Sequence, residues 1–141
     1  MVRLPLAVWP LTGEYIRAHY IRSGYMASLT PAVFHILLAL SDGEKHGYRI
    51  MREVQETTGG KLVLGPGTLY GTIQRLLKAG LIVESDERAD PGLNSERRRY
   101  YRITPQGSAA AKAEAERLRT LVHAAYEKAL LKRPRTAGEG A

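Results

Sequence analysis

The chain has 141 residues, a formal net charge of +7 and a sequence pI of about 9.9. This length suffices for one domain with a core, or for a small domain plus an interaction helix. The lack of cysteine excludes disulfides, thiol catalysis and cysteine-ligated zinc, and the basic excess favours a polyanionic partner. No apolar run approaches the ~20 residues that span a bilayer. Because prolines also interrupt the apolar start, we expect a cytoplasmic protein without a signal peptide.

Residues 1–27 differ from the rest of the chain. They hold the only tryptophan, Trp9, and three of the eight tyrosines. Two interpretations of this segment stay open. It is either an N-terminal extension that packs as a short helix, or the product of a start codon assigned too far upstream.

Three helices are predicted between residues 30 and 80. Thr30-Pro31 is a helix start, because threonine caps a helix and proline suits its first turn. The second helix is expected over about residues 46–58, where two glycines end it, and the third over residues 66–80. We expect the first helix to bury Val33, Phe34, Leu37 and Leu38, with Leu40 as a further candidate.

The third helix has two different faces. At about 100° per residue, an apolar stripe forms along one side and predicts the face that meets the core. The stripe consists of Leu69, Ile73, Leu76, Leu77 and Gly80. The other side carries small, polar and basic residues with no acid among them: Gly67, Thr68, Tyr70, Gly71, Gln74, Arg75 and Lys78. Such a face is either a solvated surface, as on most helices, or a surface that binds a partner.

Two strands follow, LIVES and RRYYRIT, both rich in β-forming residues. The polar loop between them, residues 86–96, has a Pro-Gly turn, so the pattern predicts a hairpin with a long, mobile tip. Three arginines begin the second strand. Strand alternation places Arg97 and Arg99 on one face and Arg98 on the other. They suit the sugar-phosphate backbone or the minor groove of DNA, but acids of the hairpin compete, and we expect at least one arginine to be paired within the protein.

The C-terminal part is predicted to be one long helix. Thr104-Pro105 repeats the helix-start signal, and residues 105–132 are rich in Ala, Glu, Leu, Arg and Lys. A disordered tail is expected at residues 133–141. The helix carries an apolar stripe formed by Leu118, Leu121, Val122 and Ala125. So small a domain cannot bury a helix of this length, and we expect the stripe to form a homodimer interface.

The order helix, helix, helix, strand, loop, strand is that of a winged helix-turn-helix. The predicted fold class is therefore mainly α with a small β-hairpin, with a DNA-binding domain at residues 28–104 and a dimerisation helix at residues 105–132. The outward side chains of a helix in the major groove reach base edges. In the third helix, Gln74 suits adenine, Arg75 suits guanine and Lys78 suits a phosphate.

Glycines support the same interpretation of the third helix. Because Gly71 has no side chain, the exposed face of the helix can approach a partner closely. Gly65 and Gly67 leave the backbone N–H groups at the helix start free to meet a phosphate, which helix N-termini bind well. The alternative remains a solvated polar face.

Three stretches resemble the PadR family of bacterial transcriptional regulators: LTPAVFHILLALSDGEKHGYRIMREV, LGPGTLYGTIQRLLKAGLI and RRRYYRITPQG. Together they cover most of residues 29–107 in the family's order. The resemblance implies a winged helix domain, a dimerisation helix and binding to palindromic promoter DNA, usually as a repressor. It also implies that Thr68, Tyr70 and Gln74 lie near DNA. The same holds for the arginines of the hairpin segment 86–99, which we call the wing. It does not extend to residues 1–25.

Some members of this family bind flat aromatic drugs or phenolic acids between subunits, one of them through tryptophans of the dimerisation helix. The corresponding helix of this chain has no tryptophan, so that stacking site is in doubt. The candidates for an effector pocket are Trp9, His123 and Tyr126, with ordinary packing as the alternative.

Two other classes of function were weighed against a DNA-binding regulator. One is a protein-interaction module that keeps the winged helix without specific DNA binding. The other is an enzyme. It is disfavoured because the sequence shows no nucleophile–base pair, no set of metal ligands and no phosphate-binding loop. The segment GPGT, in particular, lacks the Lys-Ser/Thr of a P-loop. No cofactor or metal is expected; the expected partners are double-stranded DNA, a second copy of the chain and a small aromatic ligand.

Overall fold

The computed structural model describes residues 29–93 and 96–135. In chain order its elements are α1 (Pro31–Leu40), β1 (Lys45–His46), α2 (Gly47–Thr57), α3 (Pro66–Lys78), β2 (Ile82–Ala89), β3 (Arg97–Ile103) and α4 (Pro105–Glu127). The strands form one antiparallel sheet in the order β1-β3-β2. This mainly helical architecture confirms the predicted fold class. The predicted N-terminal extension, residues 1–27, lies outside the described residues, as do residues 136–141 of the expected tail.

Side-chain caps explain where the helices begin. The hydroxyl oxygen of Thr30 accepts a hydrogen bond from the Val33 N–H at 3.3 Å, and that of Thr104 accepts from the Gly107 N–H at 3.0 Å. Each cap satisfies a backbone donor that has no partner within the helix. The helix starts predicted from the two Thr-Pro pairs are therefore confirmed.

The core lies between α1, α2, α3 and the sheet. Its fully buried side chains include Ile36, Leu37, Leu40, Ile50, Leu69, Ile73 and Ile82. Leu38, expected in the core, is 40% exposed. The reason is helical geometry: Leu38 lies about 200° around the helix from Ile36, on the side opposite the buried residues.

The hairpin differs from its prediction in length and in its neighbours. β2 extends to Ala89, so the loop is shorter than expected, and Ala89 pairs with Arg97 at the start of β3. The unpredicted strand β1 pairs with the other edge of β3, where His46 lies opposite Tyr100. A strand of two residues has no periodicity that a sequence pattern could reveal.

The first part of α4 is packed tightly on the domain. A Cβ atom on Gly107 would lie 2.0 Å from the Leu81 carbonyl oxygen, so only glycine fits there. The helix ends at Glu127, earlier than expected, because Ala129 adopts a left-handed φ of 58° and the Leu130 N–H bonds back to the Ala125 carbonyl at 2.9 Å. In the described ranges, no helix is both long and apolar enough to cross a membrane.

Candidate nucleic-acid interface

The structure places the predicted polar face of α3 on the surface. Leu69, Ile73 and Leu76 are buried as expected, and so is Thr72, whose hydroxyl donates to the Thr68 carbonyl oxygen at 2.7 Å. The exposed residues are Gly67, Thr68, Tyr70, Gly71, Gln74, Arg75 and Lys78. One helix therefore presents all seven predicted residues away from the core.

Two glycines on this face are not explained by packing against the described part of the chain. A Cβ atom added to Gly67 or Gly71 would meet no atom within 4 Å. A glycine inside a helix costs roughly 0.5–1 kcal/mol relative to alanine. In addition, the N-cap residue Gly65 provides no side-chain hydrogen bond to the first turn. The start of α3 is thus open to close approach by an external group.

The basic residues near the end of α3 are not neutralised within the described part of the chain. Arg75 donates to the Thr72 hydroxyl at 3.1 Å instead of pairing with an acid, and no acid there pairs with Lys78. Both positions also suit the helix dipole, which favours cations in the last turn. Because the helix dipole does not neutralise a side-chain charge, both Arg75 and Lys78 remain available to bind an anion.

The wing arginines all lie near acids. The nitrogen–oxygen distances are 3.7 Å for Arg97–Glu87, 3.8 Å for Arg98–Glu96 and 3.8 Å for Arg99–Glu84. This confirms the expectation of internal pairing. Arg97 also donates to the Glu87 carbonyl oxygen, and Arg98 is only partly exposed. The carboxylate pairs of Arg97 and Arg99 are long and exposed, so each contributes about 0–1 kcal/mol at most. These two pairs can therefore exchange for contacts to a phosphate.

Strand alternation separates the three arginines as predicted. The side chains of Arg97 and Arg99 are 68% and 64% exposed, whereas that of Arg98 is 26% exposed. The Arg98 guanidinium lies over the Tyr48 ring, 5.5 Å from its centre. Arg98 therefore packs the wing against the start of α2, and Arg97 and Arg99 project into solvent.

Tyr70 connects α3 to the same region. Its ring lies on Gly47, where a Cβ atom would be 2.8 Å from the tyrosine hydroxyl oxygen. A cavity of about 240 Å³ lies between the start of α2, Tyr70 and the wing arginines 97–99. Tyr70, one of the α3 residues predicted to contact DNA, thus borders the same space as the three arginines.

A buried ionic cluster at the wing tip was missed in the sequence. Asp90 is 8% exposed, and its carboxylate lies 2.7 Å from His46 Nε2 and 2.9 Å from Arg49 Nε. The hydrogen bond from Arg49 lowers the pKa of Asp90 strongly, with further help from the Gly92 N–H and His46 and against the effect of burial. The Asp-Pro-Gly turn signalled a bond from Asp90 to the backbone two residues on. It could not signal partners more than 40 residues away.

The predicted interface and effector residues lie in the second half of α4. Leu118 and Ala125 are half-buried, while Leu121 and Val122 are 53% and 41% exposed. These four therefore form a partly uncovered apolar stripe in the described chain.

Two of the three effector candidates, His123 and Tyr126, lie on α4. His123 lies 3.8 Å from Glu127 on the same helix, and Tyr126 is half-buried beside Arg133. Trp9 lies outside the described residues. The cavity beside the wing is lined by neither His123 nor Tyr126. Within residues 29–93 and 96–135, no group of three or more His, Asp or Glu side chains could hold a metal ion.

Comparison with known proteins identifies the relatives of this chain. The model of the transcriptional regulator PadR-like family matches residues 36–113, which is more than half of the chain. The transcriptional regulator Rv3488 of Mycobacterium tuberculosis is 39% identical over 87 residues, covering 62% of this chain and 75% of its own length. An uncharacterized 37.1 kDa protein of transposon TN4556 from Streptomyces fradiae is 33% identical over 95 residues, 67% of this chain. The match spans only 25% of that transposon protein.

Solved structures show the same fold. A transcriptional regulator from Clostridium thermocellum superposes with a TM-score of 0.55 at 29% identity, covering 68% of this chain and 87% of that one. A PadR family regulator from Clostridium difficile R20291 superposes with a TM-score of 0.57 at 20% identity, covering 70% and 97% of the two chains. These matches cover about two thirds of the chain and agree in fold with the resemblance drawn from the sequence motifs.

Proposed function

The chain belongs to the PadR-like family of transcriptional regulators, and from this premise we propose that it binds a palindromic promoter operator as a homodimeric repressor. In this proposal α3 reads the major groove and the wing holds the DNA backbone. The family is one of transcriptional regulators, in line with the expectation that the chain is not an enzyme.

One observation carries the proposal: an exposed helix face without acids stands beside two outward-facing wing arginines. Arg75 and Lys78 have no acidic partner in the described chain, and Arg97 and Arg99 have only long, solvent-exposed ones. A solvated surface would need neither the unneutralised charge nor the open glycines of α3. A polyanion explains both, since DNA neutralises the cations and approaches the bare backbone closely.

The residues of α3 fit different parts of a DNA duplex. Gln74 offers the paired donor and acceptor that match adenine in the major groove, and Arg75 offers the fork that matches guanine. Lys78 suits a phosphate as a point charge. The uncapped start of the helix, at Gly65 and Gly67, suits a second phosphate.

Dimerisation would complete the site. A single winged helix reads one half-site, whereas a symmetric pair reads a palindrome whose halves lie about one helical turn, ~34–36 Å, apart. The uncovered stripe of α4, from Leu118 to Ala125, supports this step, because exposed apolar stripes usually mark interfaces. Residues 108–131 are the proposed interface.

The proposal includes a small aromatic effector that releases the operator. Its proposed pocket would lie between subunits and include Trp9, His123 and Tyr126. Because Trp9 is the only tryptophan of the chain, titration with planar aromatic ligands can be followed by its fluorescence. Quenching together with weaker operator binding would support the pocket. Quenching with unchanged operator affinity would contradict an effector role.

The deciding experiment compares specific with random DNA. Anisotropy titrations use the region upstream of the protein's own gene and a scrambled duplex, each over a series of salt concentrations. Gln74→Ala and Arg75→Ala should each weaken operator binding by about 1–3 kcal/mol, with less effect on the scrambled duplex. The matched control is Gln55→Ala, an exposed glutamine on α2. Equal losses on both duplexes would reassign Gln74 and Arg75 to phosphate contacts. Wild type that binds the two duplexes equally would favour an interaction module instead.

A further inference from the structure

The turn between β2 and β3 is fastened to the start of α2 by a single carboxylate. Asp90 accepts hydrogen bonds from the Gly92 N–H at 2.7 Å and from two nitrogens of Arg49, Nε at 2.9 Å and Nη2 at 3.2 Å. His46 Nε2 lies 2.7 Å from the same carboxylate. Residues 90–92, where the turn leaves β2, are therefore held against a different element of the fold.

The hydrogen bonds of His46 define which ring nitrogen carries the proton. Its Nδ1 accepts from the Arg49 N–H at 3.2 Å and caps α2, so the proton that faces Asp90 is on Nε2. The same histidine belongs to β1 and lies opposite Tyr100 in β3. One residue thus touches the second strand of the wing through its backbone and the wing tip through its side chain.

This arrangement selects one orientation of the wing. A two-stranded ribbon is only marginally stable by itself, and a buried carboxylate is costly unless donors surround it. Asp90 finds its side-chain donors only when the turn lies on Arg49 and His46. A tilted wing would lose these directional hydrogen bonds, so the cluster favours one orientation in a way that apolar packing would not.

We propose that Asp90 is a positioning residue for DNA binding, which fixes the directions of Arg97 and Arg99 by clamping the wing tip to Arg49 and His46. The inference rests on the proposed function, since it assumes that those two arginines contact the operator. Asp90 itself is buried and would not touch DNA.

The direction in which one substitution changes operator affinity distinguishes this positioning role from a simple effect of charge. Asp90→Asn removes a negative charge close to the DNA surface, which by charge alone strengthens binding to a polyanion. The amide keeps the shape of the side chain but replaces one acceptor oxygen by a donor, which opposes the donors of Arg49 and Gly92. The clamp therefore predicts weaker binding, in the opposite direction.

The matched control is Asp86→Asn in the same hairpin. Asp86 is an exposed partner of Arg88, which retains Glu44 as its second partner. This substitution removes the same charge and leaves the clamp intact. We expect Asp86→Asn to bind the operator as tightly as wild type or more tightly, and Asp90→Asn to bind it less tightly.

Salt titrations test whether Asp90→Asn loses operator affinity because the wing arginines no longer contact phosphates. Loss of one phosphate contact flattens the slope of log K against log salt by about one unit. Asp90→Asn should flatten the slope by about as much as Arg99→Ala does. The double variant should lose less than the sum of the two single losses, because both remove the same contact. Fully additive losses, or Asp90→Asn that binds like Asp86→Asn, would overturn the inference.

A second variant covers the case that Asp90→Asn does not fold. Gly92→Ala changes no charge, but its Cβ atom would lie 2.6 Å from Arg49 Nη2 and would displace that flexible group from Asp90. It should weaken operator binding in the same direction, to a smaller extent. Unchanged binding and an unchanged salt slope in Gly92→Ala would count against the clamp.

Hydrogen exchange without DNA separates failure of the clamp from failure of the proposed function. Asp90→Asn should speed amide exchange in residues 82–103 and leave α3 protected as in wild type. If exchange rises as expected but operator binding does not change, wing orientation does not matter and the inference is wrong, while the proposed function stands. If wild type itself shows no preference for the operator, the proposed function fails. The exchange result then still shows whether Asp90 clamps the wing.

Discussion

Tyr70 lies so close over Gly47 that a methyl group on the glycine would come within 2.8 Å of the tyrosine hydroxyl oxygen and 3.0 Å of its ring. The first residue of α2 thus packs directly against an aromatic ring from α3. The absence of a side chain at position 47 fixes how closely these two helices of the DNA-binding unit approach each other.

Gly47→Ala should therefore displace Tyr70 and destabilise the fold. Helix propensity alone would make the change stabilising by up to ~1 kcal/mol, whereas overpacking typically costs about 1–3 kcal/mol. We expect a net loss in the free energy of unfolding, measured by urea denaturation. The control is Gly71→Ala, whose Cβ atom would meet nothing within 4 Å. It should gain stability by roughly 0.5–1 kcal/mol. Equal gains in both variants would show that Tyr70 moves aside without cost.

The wing arginines should differ in their effect on salt dependence. Arg97→Ala and Arg99→Ala should each flatten the slope of log K against log salt by about one unit, because each side chain projects into solvent. Arg98→Ala should leave the slope nearly unchanged and lower stability instead, since Arg98 packs on Tyr48. The measurement is an operator titration at several salt concentrations. Three unchanged slopes would mean that these arginines serve the internal acids of the hairpin.

Glu114 should contribute a pH-dependent part of the stability. It is 4% exposed, and its carboxylate accepts from Arg117 Nε at 3.0 Å and Nη2 at 2.6 Å. The hydrogen bonds from Arg117 lower the pKa of Glu114, with a smaller contribution from the Leu29 N–H and against the effect of burial. A lowered pKa means that the contribution is complete above the ordinary glutamate pKa of ~4.3 and is lost as the pH falls through the lower value of the folded chain.

Glu114→Gln should therefore cost about 1–3 kcal/mol at neutral pH, because the buried amide replaces one of the two oxygens that accept from Arg117 by a donor. The difference from wild type should shrink as the pH falls below ~4. Urea denaturation over a pH series measures both. The control is Glu116→Gln, because Glu116 is exposed and pairs with Arg119. A difference that does not depend on pH would show that the charge of Glu114 is not what stabilises α4 on the domain.

Local signals in the sequence predicted most of this fold, and long-range contacts account for what was missed. The caps at Thr30 and Thr104 lie within three residues of their partners, and the stripe of α3 repeats every three or four residues, so both are visible in a single segment. The clamp at Asp90 joins residues 44 apart in the chain. His46 comes from a strand too short to show a pattern and Arg49 from the first turn of α2, and nothing local to Asp90 indicates either partner.

The candidate site divides in the same way. Helical periodicity placed Gln74, Arg75 and Lys78 on the surface, and strand alternation separated Arg98 from its neighbours. Neither pattern could show that Arg98 reaches the Tyr48 ring or that Tyr70 lies on Gly47, because such contacts depend on how α2, α3 and the wing pack together. The exposed side of α1 was misjudged for a related reason. All residues of α1 except His35 are apolar, and only the packing shows that Leu38 faces outward.

The second half of α4 should hold the homodimer together. Leu121 is 53% exposed on a helix face that it shares with Leu118, Val122 and Ala125. Leu121→Glu would place a charge at the centre of the apolar stripe. If the stripe is the dimer interface, this charge would be buried without a partner, which is costly. We expect a monomer by sedimentation, with helical circular dichroism retained and tight operator binding lost.

The matched control for that experiment is Thr120→Glu, which introduces the same charge one residue away. Thr120 lies about 200° around the helix from Leu118, so the new carboxylate points away from the stripe. This variant should remain dimeric and bind the operator with little change. If wild type sediments as a monomer at micromolar concentration, or if Leu121→Glu stays dimeric, α4 is not the interface. Because residues 1–27 are then the remaining candidate, a variant that lacks them should be tested next for loss of the dimer.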